Sequence, residues 1–126
     1  MNVFNPNAGL IVVVTTLHGP SGRWEARLAL DTGASTTLVR PAILVAIGHD
    51  PASALDRIQV TTGSGVEYLP RLEVDGVSAL GLDVARLPVV AHTLPPSATV
   101  DGLLGLDFMR GRTLTVDFRT GRISLV

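Results

Sequence analysis

The sequence predicts a mainly β fold, a small barrel or sandwich, on three observations. Short runs rich in Val, Ile, Leu and Thr recur roughly every ten residues. Turn residues separate them: Gly, Pro, Ser and Asp-Gly. Helix signals are scarce by comparison. The chain has 126 residues, which suits one domain spanning 1–126. Apolar residues make up 46%, enough to fill one core and too many for a disordered chain.

In order, Leu10–Leu17 reads as a strand and His18–Gly22 as a loop. Arg23–Leu30 returns as its hairpin partner and delivers Asp31 at its far end. Thr36–Val39 is a short strand, and Pro41 opens a short helix, Pro41–Ile47, because proline suits the first helical turn. Gly48 stops it. Leu55–Thr62 and Val66–Leu69 flank Gly63-Ser64-Gly65, a hairpin with a glycine-containing tip. Leu72–Val74 and Val77–Ala79 flank Asp75-Gly76, a strong hairpin turn signal. Leu82–Ala91 is largely apolar, and Pro88 predicts an edge or bulged segment there. Gly102–Leu104 is a short strand and Leu106–Arg110 a helical turn. Arg112–Phe118 and Arg122–Val126 form a last hairpin around Arg119-Thr120-Gly121. Trp24, Phe108 and Phe118 are expected in the core.

Composition removes several functions. The net charge is −1 and each half is nearly balanced, so no nucleic-acid footprint or polybasic membrane patch is present. The chain has no cysteine, which excludes a disulfide framework, a thiol nucleophile and a cysteine zinc site. His18, His49 and His92 are scattered without metal-ligand spacing, so neither metal nor cofactor is expected. No G-x-S-x-G occurs, and no lysine or helix follows Gly63-x-Gly65 to make a phosphate loop. The apolar run near the N-terminus, Leu10–Val14, is too short to span a bilayer and lacks the charged start of a signal peptide. A cytoplasmic location is expected, for a whole protein or for a domain of a longer one.

Chemistry concentrates at Leu28-Ala29-Leu30-Asp31-Thr32-Gly33-Ala34. A D-[S/T]-G triplet alone is weak: Asp, Thr and Gly are all turn formers, and a strand that ends on them can simply be turning. Its context is more informative. The triplet closes an apolar strand, a glycine-tipped hairpin follows, and some seventy residues after Asp31 comes Asp101-Gly102-Leu103-Leu104-Gly105-Leu106-Asp107-Phe108-Met109.

That order resembles the retropepsin-like, or retroviral-type, aspartic proteases, most of all their bacterial members, in which a DGLLG-x-[D/N]-F segment precedes a C-terminal hairpin. The resemblance runs from about Val12 to Val126. It implies a closed β-barrel with one or two short helices, acting as an aspartic endopeptidase on extended polypeptides. Asp31 would be the catalytic carboxylate. Thr32 would brace the active-site loop against its twin, Gly33 would permit close approach, and Ala34 would line the pocket. Thr62, Gly63, Ser64 and Gly65 would form the substrate-binding flap tip. Leu103, Leu104 and Gly105 would pack beneath the Asp31 loop.

Two positions depart from the pattern. Many retroviral members pair an acid just after DTGA with an arginine just after the later glycine, whereas this chain has Ser35 and Leu106 there. The chain also has one D-[S/T]-G, while the chemistry needs two carboxylates. The second would be Asp31 of another copy, which makes the protein a C2 homodimer with its site on the two-fold axis. The rival readings are a retropepsin-fold dimerisation or peptide-binding module with little proteolysis, and a generic small barrel with an accidental triplet.

Overall fold

The computed structural model describes residues 2–126; the side chain of Thr62 lies outside the described residues. Twelve strands and two short helices follow the order β1 (Asn2–Val3), β2 (Val12–Gly19), β3 (Gly22–Leu30), β4 (Leu38–Val39), α1 (Pro41–Ala46), β5 (Asp56–Thr62), β6 (Gly65–Glu73), β7 (Gly76–Ala79), β8 (Leu82–Ala85), β9 (Pro88–Ala91), β10 (Gly102–Leu104), α2 (Leu106–Met109), β11 (Leu114–Asp117) and β12 (Arg122–Leu125). Nine strands make one curled half-barrel sheet in the order β5-β6-β9-β4-β10-β3-β2-β7-β8. The barrel implied by the resemblance is therefore half-closed, with β5 and β8 at its ends. β1, β12 and β11 form a second, three-stranded sheet from the two termini of the same chain.

The period-2 pattern of β2 and β3 sets the register that aims Asp31. Val13, Thr15 and Leu17 are buried, and the intervening residues face outward or are half-buried. Their cross-strand partners are Leu28, Ala26 and Trp24. A slip of one residue would turn this apolar row to solvent, so the register is strongly specified. Helix α1 begins with Pro41 at its first turn and buries Ile43 and Leu44. Phe108 from α2 is 1% exposed and joins the same core cluster as Leu17, Leu28, Leu104 and Ile123.

Several local expectations are corrected. Asp75-Gly76 does not join a hairpin: β6 pairs with β5 and β9, and β7 pairs with β2 and β8. Asp75 donates its N–H to the His18 carbonyl instead, which steers the chain across to β2. The tight hairpin comes one strand later, between β7 and β8. There Leu80 and Gly81 have φ of 54° and 78°, the signs of a type I′ turn. Leu80 is a poor residue for that conformation, and its burial at 7% exposure offsets the strain. Pro88 is not at an edge: β9 lies between β6 and β4, and proline is tolerated because it opens the strand. Trp24 and Phe118 are not core residues, being 47% and 65% exposed. Phe118 stacks edge-on against Phe4 with centroids 5.7 Å apart, which ties the N-terminal segment to the last hairpin.

The turn of that hairpin carries an acid-sensitive contact. The N–H groups of Arg119 and then Thr120 donate to Asp117 Oδ1 at 2.8 and 3.3 Å and hold its carboxyl below the ordinary carboxylate value. A carboxyl lowered on folding contributes stability that is full above its unfolded value and is lost as pH falls through its folded value. The amide resonances of Arg119 and Thr120 are therefore expected to shift below about pH 4. They should stay put over the same range in the Asp117→Asn variant, as read by NMR titration.

Candidate active site

The Asp31 loop exists because β10 wedges between two strands. Gly102, Leu103 and Leu104 run parallel to Leu28, Ala29 and Leu30 of β3 on one side. On the other side Gly102 and Leu103 pair antiparallel with Val39 and Leu38 of β4. The 31–37 segment must then leave β3 and return to β4 across the end of β10. The Asp31 N–H donates to the Leu104 carbonyl at 3.0 Å, and the Leu106 N–H donates to the Ala34 carbonyl at 2.8 Å. Glycine is needed at both ends of the wedge. A Cβ on Gly102 would collide with the Leu38 carbonyl, and one on Gly105 would lie 2.8–2.9 Å from backbone atoms of Ala34 and Thr36.

Within the loop the Gly33 N–H donates to Asp31 Oδ1 at 2.8 Å, and the Ala34 N–H to the Asp31 carbonyl at 3.2 Å. The Asp31 carboxylate is thus oriented by its own turn while remaining half-buried. It lines a cleft of about 340 Å³ together with Gly33, Ala34, Leu38 and Leu103, and with Ile58 to Thr61 of β5 opposite. Val90 contributes to the wall and Ser35 and Thr36 to the rim. Among the described residues, Asp31 supplies the one ionisable side chain of the lining.

Of the residues singled out in the sequence, the structure brings Asp31, Gly33, Ala34 and Leu103 to this cleft. Thr32 is exposed and lines a different, open groove of about 530 Å³ with Leu106, Met109, Arg110, Arg112 and Leu114. Leu104 and Gly105 are buried under the loop. Gly63, Ser64 and Gly65 stand exposed at the tip of the β5–β6 hairpin, away from the cleft lining. It is the base of that hairpin, Ile58–Thr61, that faces Asp31 across the cleft.

Sequence reasoning missed Thr37 and Asp107. The Thr37 N–H and hydroxyl donate to Asp107 Oδ2 and Oδ1 at 2.9 and 2.7 Å, and the hydroxyl accepts from the Gly105 N–H at 3.1 Å. The available signal is the acid of Gly105-Leu106-Asp107-Phe108. Among the described residues, no group of three or more His, Cys, Asp or Glu could hold a metal ion. No helix among them is long and apolar enough to cross a membrane.

A mainly β, curled sheet with a D-T-G loop braced from below by an apolar-apolar-Gly strand defines the retropepsin-like class of fold. A crystal structure of a retropepsin-like aspartic protease from Rickettsia conorii is similar to it, with TM-score 0.64 and 14% identity over 91% of this chain and 82% of that one. A search of the curated proteins finds no match. The profile of the family described as aspartyl protease matches residues 14–108, from β2 through the first residues of α2, and the chain belongs to that family.

The tight seat of Gly105 gives a test of the wedge. Gly105→Ala should force the backbone of Ala34 and Thr36 away and destabilise the fold by about 1–3 kcal/mol, as overpacking does. In a thermal melt this is a drop of several degrees in Tm. An unchanged Tm would mean that the two segments are not in contact.

Proposed function

We propose that the protein is an aspartic endopeptidase that cleaves extended polypeptides, with Asp31 as the catalytic carboxylate contributed once by each subunit of a homodimer. The observation that carries the reading is the oriented Asp31 carboxylate, among the described residues the one ionisable side chain in a cleft walled by β5. Family membership supports aspartic peptidase chemistry.

The chemistry explains the count of carboxylates. Water attacks a peptide carbonyl while one carboxylate takes its proton and a neutral carboxyl polarises the carbonyl oxygen. Two carboxyl groups at about 3 Å share a single proton, the general behaviour of aspartic-protease pairs. Each chain carries one D-T-G, so two chains are required. A substrate lying beside Ile58–Thr61 would be held as an added strand. Thr62 to Gly65 at the hairpin tip would then close over it, with exclusion of water strengthening the electrostatics at the pair.

The groove beside Thr32 supports the dimer and suggests its character. A two-fold axis that brought two Asp31 side chains together would pass close to the neighbouring Thr32, and the second copy would cover the groove that Thr32 lines. Its floor is Leu106, Met109 and Leu114, where many retroviral members place an arginine of an ion pair. Apolar contact would replace that pair, with Arg110 and Arg112 at the margin. The domain, 1–126, would act as one such subunit.

Asp31→Asn should lower cleavage of a peptide library by at least about 10²-fold while the variant stays folded and dimeric. Wild-type protein that binds peptides between about pH 4 and 7 without cleaving them would replace the enzyme by a peptide-binding module. The dimer itself should dissociate with the same constant in about 0.05 and 0.5 M salt, measured by analytical ultracentrifugation. A constant that rises steeply with salt would assign the contact to ion pairs instead.

A further inference from the structure

We propose that Thr37 and Asp107 act together as a positioning clamp that sets the turnover of Asp31 without touching substrate; the inference rests on the proteolytic reading above. The two residues lie seventy positions apart and close the far end of the active-site loop. Thr37 is 0% exposed, and each of its polar groups has a partner. Its N–H and hydroxyl donate to the two Asp107 oxygens at 2.9 and 2.7 Å. Its hydroxyl accepts from the Gly105 N–H at 3.1 Å and its carbonyl from the Val90 N–H at 3.0 Å. Asp107 Oδ1 takes a further bond from the Phe108 N–H at 2.9 Å, which fixes the carboxylate to the start of α2.

The geometry gives the clamp its purpose. The loop has two ends. Asp31 is tied at the first by its N–H to Leu104, and Thr37 is tied at the second by Asp107. Between them Gly33, Ala34, Ser35 and Thr36 line the cleft. The Val90 N–H also holds the Thr37 carbonyl, so losing Asp107 would loosen the far end rather than free it, and a displacement of about 1 Å at a reacting group can cost 10²-fold in rate. The clamp holds the far end through charge-assisted bonds, which are shorter and stronger than neutral ones.

The donor count favours an acid here over the asparagine that the resembled segment also admits. Two donors from Thr37 and one from Phe108 converge on the side chain, so both of its oxygens must accept. An asparagine would offer one acceptor oxygen and turn an NH₂ toward a donor. Serine at 37 would keep the hydroxyl that bridges Asp107 and Gly105, whereas valine keeps the shape and loses the bridge.

The test uses a peptide that the wild-type protein cleaves, with kcat and KM measured separately and with folding and dimerisation checked by circular dichroism and ultracentrifugation. Thr37→Val should lower kcat by about tenfold or more and leave KM within about threefold. Thr37→Ser should restore kcat to within about threefold of wild type. Asp107→Asn should fall with Thr37→Val, and the double variant should be no slower than either alone, as for residues that act as one unit. Should Thr37→Val not fold, Asp107→Asn and Thr37→Ser carry the same contrast. The clamp is overturned if Thr37→Val or Asp107→Asn keeps wild-type kcat while folded. It is overturned equally if the loss lies wholly in KM or in the dimer, or if serine does not rescue. A wild-type protein that cleaves no peptide sinks the proteolytic reading and the clamp with it; active wild type beside unimpaired variants sinks the clamp alone.

Discussion

The placement of β10 is the constraint on which the rest depends. Three residues, Gly102 to Leu104, are hydrogen-bonded in parallel to β3 and antiparallel to β4. A parallel pairing in a small sheet cannot be made by a local hairpin; it needs a long connection, here nearly the whole chain between Leu30 and Gly102. The gain is that the chain leaving β3 cannot simply turn back. It must pass over the end of β10, and the carbonyls of Leu104 and Ala34 are used by the N–H groups of Asp31 and Leu106 on the way. The glycines at either end admit this approach, and Leu104 at 0% exposure anchors the strand in the core.

What was legible in the sequence was local. Alternation gave β2 and β3, the proline and glycine around 41–48 gave α1, and Arg119-Thr120-Gly121 gave the last hairpin. The D-T-G and L-L-G segments were visible as a pair because each is short and chemically unusual. Partner choice was not legible. Asp75-Gly76 carries a hairpin dipeptide, yet β7 binds β2 because the His18 carbonyl takes the Asp75 N–H and Val77 is wholly buried beside Leu17. Tertiary burial overrode a turn propensity. Pro88 misled for the same reason: its rule concerns a lost donor, and the first residue of a strand can spare one.

The candidate site was half legible on similar grounds. Asp31 announced itself, but the residues opposite it did not. Ile58 to Thr61 line the cleft with Asp31, and their types are ordinary for any strand. Glycine drew attention to the hairpin tip, whereas the cleft lining comes from the hairpin base. Thr37 and Asp107 were harder still, since a threonine and an aspartate seventy residues apart carry no joint signature until the fold brings them to 2.7 Å.

The loop stands between two different surfaces, and that arrangement bears on the departures at Ser35 and Leu106. On one side Gly33 to Thr36 face the cleft; on the other Thr32 faces the groove with Leu106 and Leu114. An ion pair at these positions would hold the loop from beside the site and would be screened by salt. This chain fastens the loop from beneath, through Asp107 to Thr37 and through Leu104 to Asp31, where the buried Thr37 and Leu104 partly shield the contacts. The groove is then free to be apolar. In the proposed homodimer, rigidity of the loop and adhesion of the second copy, which a single ion pair can serve at once, would be separate tasks given to separate residues. Substitution in the Thr37–Asp107 pair should therefore act on turnover, and substitution in the groove on association, with little coupling between the two.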